Sequence, residues 1–249
     1  MQALRSLLFN ILMLVTAVIF SLLSLFTFPF SGLTRYRFIS HWARLQIWLL
    51  KTICNLTYRV EGAENLPGGP AVILSKHQSA WETLAFQVIF PPQVWVLKRE
   101  LLLIPFFGWG LGLTQPIAID RRSGVRALEQ ITKQGRNRLD SGRWVVVFPE
   151  GTRVSPGETK RHGIGGAVLA AETGYPVVPV AHNAGSFWPR HGFMKRPGTV
   201  TVVIGPVIDS RSRTAQQIRD VAEQWMRDAM DRLERHPYVS GPDLRKDVA

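Results

Sequence analysis

Residues 7–30, LLFNILMLVTAVIFSLLSLFTFPF, run for 24 positions without a charge. As one helix they would extend roughly 36 Å, enough to cross a hydrocarbon core of about 30 Å. Such a run is inserted in a membrane, buried in a protein core, or removed as a leader. Arg5 could flank a leader, but the run is long for that role and no small-x-small cleavage site follows it. Membrane insertion is the reading adopted. Pro29 and Gly32 then interrupt the helix, and 36–53 reads as a second one. Tyr36, Phe38, Ile39, Trp42, Leu45, Leu49 and Ile53 fall near one face, with Arg37, His41, Arg44 and Lys51 largely elsewhere. This pattern suits either an interfacial helix in the headgroup region or an ordinary helix packed on the domain that follows. The basic residues after the apolar run place that domain on the cytoplasmic face of a cell membrane.

The remainder reads as one domain, giving a division into an anchor (1–55), a globular domain (56–236) and a frayed tail (237–249). Short apolar, β-branched runs at 57–60, 71–74, 94–97, 116–119, 144–148, 177–181 and 200–204 alternate with helical patterns at 81–90, 124–139, 163–173 and 214–235. That alternation predicts an α/β fold, a sheet covered by helices on both faces. The net charge of +12 calls for an anionic partner. No nucleic-acid-binding fingerprint accompanies it, so a membrane surface or a phosphorylated substrate is favoured. The single cysteine, Cys54, excludes an intramolecular disulfide and a multi-cysteine zinc site.

Two turns at strand ends carry candidate chemistry. In Ser75-Lys76-His77-Gln78-Ser79-Ala80-Trp81-Glu82, a histidine leaves a buried-looking strand and a carboxylate follows five positions later. On a regular helix those positions point roughly 140° apart. They can meet only if His77 lies in the loop and Glu82 in the first helical turn, where a carboxylate would orient a general base. Ser79-x-x-Glu82 is equally a capping box that starts the helix at 81. The second turn, Phe148-Pro149-Glu150-Gly151-Thr152-Arg153, ends another buried strand, at the sheet edge where open α/β folds place ligands. Arg153 offers a fork of donors for phosphate, and Glu150 either holds that arginine or accepts from a substrate hydroxyl.

Together these turns resemble the 1-acylglycerol-3-phosphate acyltransferase family of glycerolipid acyltransferases. The family pattern of His-x4-Asp, Lys-x-Glu-Leu…Pro-x-x-Gly, Asp-Arg, Phe-Pro-Glu-Gly-Thr-Arg and Val-Pro is met in order across 71–206. Here it stands as His77-x4-Glu82, Lys98-Arg99-Glu100-Leu101…Pro105-Phe106-Phe107-Gly108, Asp120-Arg121, Phe148 to Arg153 and Val178-Pro179. Glu82 departs from the family's aspartate but keeps the charge. The resemblance implies a mixed sheet flanked by helices and an N-terminal two-helix membrane anchor. It implies transfer of an acyl group from acyl-CoA or acyl-carrier protein to the sn-2 hydroxyl of 1-acylglycerol 3-phosphate, giving phosphatidic acid. His77 and Glu82 are then the catalytic pair, and Lys98, Arg121, Glu150, Gly151, Thr152 and Arg153 the substrate-binding set. No cofactor or metal is implied; the acyl thioester is a substrate. Phe106, Phe107, Trp109 and Leu111 are either an acyl channel or ordinary core, and Lys160, Arg161 and His162 either carrier contacts or a solvated turn. Rival readings keep the chemistry with another lysolipid acceptor, or make the chain a non-catalytic lipid-binding membrane protein or a soluble phosphate-binding enzyme.

Overall fold

The computed structural model describes residues 1–120 and 123–235. Seven strands form one sheet: β1 (Leu56–Glu61), β2 (Val72–Ser75), β3 (Gln93–Lys98), β4 (Ile117–Ile119), β5 (Trp144–Val147), β6 (Val177–His182) and β7 (Gly198–Ile204). Their spatial order is β1-β7-β6-β2-β5-β3-β4. Strands β2 to β6 run parallel, and β6 pairs antiparallel with β7, which pairs parallel with β1. The expected mixed sheet flanked by helices is therefore present, and each apolar run read from the sequence supplies one strand.

Alternation along the strands assigns the two faces. Ile73, Val146 and Val178 point to the side covered by α2 (Gly32–Cys54) and α3 (Trp81–Ile89), in a core that includes Leu50, Cys54, Trp81 and Phe86. Their neighbours Val72, Leu74, Val145 and Val147 point to α5 (Val125–Asp140), α6 (Gly165–Thr173) and α8 (Ala215–Arg235). Successive side chains on a strand project to opposite faces, so a strand covered on both sides must be apolar throughout. Gly166 permits the close approach of α6: a Cβ there would stand 2.5 Å from Leu74 Cδ2.

The N-terminal helix α1 (Gln2–Leu25) pairs with α2 in a helical hairpin. Thr16 Oγ1 accepts from Trp42 Nε1 at 3.1 Å and from Gln46 Nε2 at 3.0 Å, holding the two helices in register. At the start of α1, Asn10 Oδ1 accepts from Lys195 Nζ at 2.5 Å and Ser6 Oγ accepts from Lys195 N at 3.0 Å. At its end, Ser21 and Ser24 pack on Gly110 of α4 (Phe107–Leu113). The opposite face leaves Leu4, Leu8, Ile11, Leu14 and Ile19 exposed. An apolar surface this extensive is what a soluble fold avoids. By length and composition alone, α1 could cross a membrane.

Two details differ from the sequence reading. The fully buried positions of α2 are Tyr36, Ser40, Ala43, Gln46, Leu49, Leu50 and Cys54, while Trp42, Leu45 and Ile53 of the expected face are partly buried against the same core. The helices α4 and α7 (Ala184–Phe187) were not anticipated. Gly108, Gly110 and Gly112 give α4 the composition of a loop, and tertiary packing overrides that propensity. The tail at 237–249 lies outside the described residues.

Candidate active site

Strand register explains how two turns, distant in sequence, meet. Leu74 of β2 pairs with Val147 of β5, so three residues beyond each strand pair His77 stands opposite Glu150. The His77 backbone N–H donates to Glu150 Oε2 at 2.9 Å, and the imidazole stacks on Phe148 with ring centroids 4.0 Å apart. Val154 N then donates to His77 O at 2.8 Å, so the Phe148–Arg153 turn wraps around the histidine on both sides.

Glu82 lies in the first turn of α3 and its side chain is fully buried. Its Oε1 accepts from His77 Nδ1 at 2.8 Å, Gln78 N at 2.9 Å and Ser79 N at 2.8 Å. A carboxylate can only accept, so Nδ1 donates, and the neutral imidazole in this tautomer has its lone pair on Nε2. Burial opposes the ionised carboxyl, yet nearby His182 and the donors from His77 and Ser79 hold it below its ordinary value. Only half of the expected capping box is present: Glu82 takes the Ser79 N–H, whereas Ser79 Oγ accepts from Trp81 N at 3.1 Å and Ala80 stands at the N-cap position without a side-chain cap. One carboxylate thus starts the helix and orients the imidazole.

Behind the histidine lies a second buried carboxylate. Lys76 Nζ donates to Glu150 Oε1 at 2.5 Å and to Glu158 O at 3.3 Å, and both Lys76 and Glu150 are buried. Burial pushes the Glu150 carboxyl up, against the pull of the Lys76 ammonium and the His77 N–H. With Oε1 on Lys76 and Oε2 on His77, Glu150 braces the turn from behind. This differs from its expected place on Arg153 or a substrate hydroxyl. His182, at the end of β6, donates from Nε2 to Lys76 O at 2.9 Å and accepts at Nδ1 from Ala184 N at 3.3 Å. Its burial depresses its basicity. Neither Lys76 nor His182 was singled out from the sequence, although a lysine directly after an apolar strand is a usable sign of a buried ion pair.

In front of the histidine is a cavity of about 300 Å³. His77, Lys98 and Arg153 supply polar groups to its lining, and Ala17, Phe20, Trp42, Leu84, Trp95 and Leu111 belong to its largely apolar wall. Of the expected channel aromatics Phe107 contributes, whereas Phe106 and Trp109 contact each other with ring centroids 5.0 Å apart, tilted by 58°, and are partly exposed. Gly151, with φ at 69°, makes the turn that carries Arg153 to the cavity, and Thr152 is half-buried beside it. Arg121 lies outside the described residues. Its neighbour Asp120 accepts from Arg99 Nη2 at 3.1 Å, joining the ends of β3 and β4 beside Lys98. Lys160, Arg161 and the buried His162 line a second cavity of about 190 Å³ that also reaches Lys76 and Glu150, together with Glu223, Asp231 and Glu234.

The Acyltransferase family model matches residues 57–183. A 1-acyl-sn-glycerol-3-phosphate acyltransferase of Pseudomonas aeruginosa is 46% identical over 234 residues, which cover 92% of this chain and 91% of that protein. A Saccharomyces cerevisiae protein of the same name is 29% identical over 79% of this chain and 66% of its own length. In fold, the crystal structure of the 1-acyl-sn-glycerophosphate acyltransferase from Thermotoga maritima superposes with a TM-score of 0.77 at 23% identity, covering 94% of this chain and 96% of that one. On the family match and the extent of the 46% identity, the chain belongs to the 1-acyl-sn-glycerol-3-phosphate acyltransferase family.

Proposed function

We propose that this protein transfers a fatty acyl group from acyl-CoA or acyl-carrier protein to the 2-hydroxyl of 1-acylglycerol 3-phosphate, forming phosphatidic acid. The observation that carries the reading is the His77–Glu82 pair at 2.8 Å, placed on the wall of a cavity that Arg153 also lines. An alcohol is a weak nucleophile at neutral pH. His77 Nε2 removes its proton as the oxygen bonds to the thioester carbonyl carbon, and Glu82 stabilises the imidazolium that results. Collapse of the tetrahedral intermediate breaks the carbon–sulfur bond, and the departing thiolate takes the proton back. General-base assistance of this kind contributes about 10²–10⁴-fold.

Arg153 and Lys98 hold the acceptor phosphate, with Arg121 assigned to the same task from its motif. The apolar wall takes acyl chain. The hairpin of α1 and α2 supports membrane association, its exposed leucines and isoleucines entering lipid. Both ends of α1 are fastened to the globular domain, through Asn10 and Lys195 at one end and Ser21, Ser24 and Gly110 at the other. That favours a helix lying in one leaflet over one that crosses, since a crossing helix carries one end about 30 Å away from the domain.

The test uses purified full-length protein in detergent, with acyl-CoA and acyl-carrier-protein donors and a panel of lysolipid acceptors. Transfer to 1-acylglycerol 3-phosphate by the wild type, abolished in His77→Ala, is expected. Equal transfer by both proteins removes His77 from the chemistry, and preference for an acceptor without a phosphate monoester removes the acceptor assignment.

A further inference from the structure

Three arginines gather where the hairpin meets the domain, and none has a counter-charge among the described residues. Arg143 is only 7% exposed. It donates from Nη1 to Gln115 Oε1 at 2.9 Å and from Nε to Ser141 Oγ at 3.1 Å, both neutral acceptors. Arg138 Nε donates to the neutral Gln115 backbone oxygen at 3.0 Å. Arg35, in the first turn of α2, leaves a buried Nε with no hydrogen-bond partner. Arg138 and Arg35 repel Arg143 electrostatically. Among the described residues no ion pair joins any of the three to a carboxylate. Asp140, close in sequence, is taken by the Tyr175 hydroxyl at 2.9 Å.

The geometry brings the positive end of α2 to the same place. A Cβ on Gly32 would stand 2.6 Å from Gln115 Oε1 and 3.5 Å from Arg143 Nη1, so the first turn of α2 is pressed against the cluster. Leaving a buried guanidinium without an anion is costly, and like charges beside it raise that cost. An anion with several acceptor oxygens relieves both. Guanidinium forks match phosphate oxygens, with Arg143 as floor and the half-buried Arg35 and Arg138 as rim.

The surroundings identify the source of that phosphate. The turn between α1 and α2 presents Phe26, Phe28 and Phe30 at 78%, 70% and 57% exposure, followed by exposed Leu33. Aromatic side chains at the tip of an apolar hairpin mark the depth of the membrane interface, and arginines immediately behind them stand at headgroup level. We propose that Arg35, Arg138 and Arg143 form a headgroup site for anionic phospholipid of the bilayer that the hairpin enters, separate from the reaction cavity. This rests on the membrane reading of the hairpin. A zwitterionic choline lipid brings its own cation to a cluster already in excess of positive charge and is the poorer occupant.

Vesicle flotation of the full-length chain tests it. Phosphatidylcholine vesicles are compared with the same vesicles containing phosphatidylglycerol, using wild type, Arg143→Gln, Arg35→Gln and, as control, Arg37→Gln on the exposed side of the same helix. The wild type floats more strongly with phosphatidylglycerol, and Arg143→Gln and Arg35→Gln each lose about tenfold of that gain, the worth of a charge-assisted hydrogen bond. Arg37→Gln loses several-fold less. Acyl transfer in neutral detergent stays at the wild-type rate in all three, which shows that Arg143→Gln is folded; if it is not, Arg35→Gln decides. A phosphatidylglycerol gain that survives both substitutions, or an Arg37→Gln loss as large as theirs, overturns the site in favour of diffuse attraction. Failure of the wild type to float on either vesicle overturns the membrane reading itself, a different result from the loss of lipid preference alone.

Discussion

His77 Nδ1 and Glu82 Oε1 stand 2.8 Å apart because the histidine remains in the loop and the glutamate occupies the first turn of α3. The same oxygen collects the N–H groups of Gln78 and Ser79, so the carboxylate is fixed before it orients the ring. Glu82→Gln keeps an acceptor for these donors but loses the charge that stabilises the imidazolium. We expect kcat to fall by roughly 10²–10⁴-fold with little change in acceptor KM. Steady-state kinetics at neutral pH check this, and an unchanged kcat removes Glu82 from the mechanism. Glu82→Asp keeps the charge but retracts it from the imidazole, and an intermediate kcat is expected.

Lys76 and Glu150 form a buried ion pair that holds the His77 turn from behind. Lys76→Met leaves a buried carboxylate without its cation and should destabilise the fold by about 3–5 kcal/mol. Glu150→Gln on that background keeps an acceptor for the His77 N–H and removes the unpaired charge. Denaturant unfolding of the two single variants and the double variant should therefore show strong non-additivity, the double losing much less than the sum. Simple additivity denies the coupling. Activity separates the two roles of Glu150: Glu150→Gln alone should retain more activity than Glu150→Leu, which removes the acceptor for His77 N.

The seven strands were legible because a sheet covered on both faces demands continuous apolar runs, and β2 and β5 contain little else. Helical periodicity gave the condition under which His77 and Glu82 can meet, and the family resemblance made them a pair. What Glu150 holds was not legible, because it depends on the β2–β5 register, a contact between segments about 70 residues apart in sequence, and no local pattern carries it. The arginine triad was hidden for the same reason: Arg35, Arg138 and Arg143 come from α2, α5 and the approach to β5, and each alone reads as a solvated charge. Phe106 and Trp109 show the opposite failure, since aromatic composition could not separate a cavity wall from a surface pair.

Arg153 lines the cavity with His77, and no carboxylate among the described residues pairs with its side chain. Its loss should act on the acceptor more than on the chemistry. Arg153→Gln is expected to raise the KM for 1-acylglycerol 3-phosphate roughly 10–100-fold, the worth of one charge-assisted hydrogen bond. The KM of the acyl donor should move little. A kcat defect with normal acceptor KM places Arg153 at the reacting carbonyl and away from the phosphate.

Leu111 of α4 borders the cavity, as do Leu84 and Trp95, in a largely apolar lining. A larger side chain there occupies volume without adding charge. Leu111→Trp should lower turnover of long-chain donors relative to short-chain ones, measured as the ratio of their kcat/KM values. Equal effects on both chain lengths indicate a general packing defect and remove the acyl assignment for this wall.

His162 provides the clearest dependence of stability on pH. It is buried beside α8, its Nδ1 has no partner, and desolvation lowers its pKa to about 4 from 6.5 despite nearby Glu223. Between those two values the unfolded chain binds a proton that the folded chain refuses, so stability falls as pH drops through the window. The loss reaches about 3 kcal/mol at its lower end. His182 is also held below its ordinary value by burial and adds a slope of the same sign. The lowered Glu82 contributes separately, its stabilisation being lost only as pH falls through its own depressed pKa. His162→Gln removes one of the two histidine slopes. Urea midpoints of wild type and variant, taken near pH 6.5 and near pH 4, should show a markedly smaller acid loss in the variant. Because His162 lies apart from the reaction cavity, His162→Gln should keep its acyl-transfer rate at neutral pH. An identical acid loss in both proteins means that His162 is protonated in the fold and that its pocket is wet.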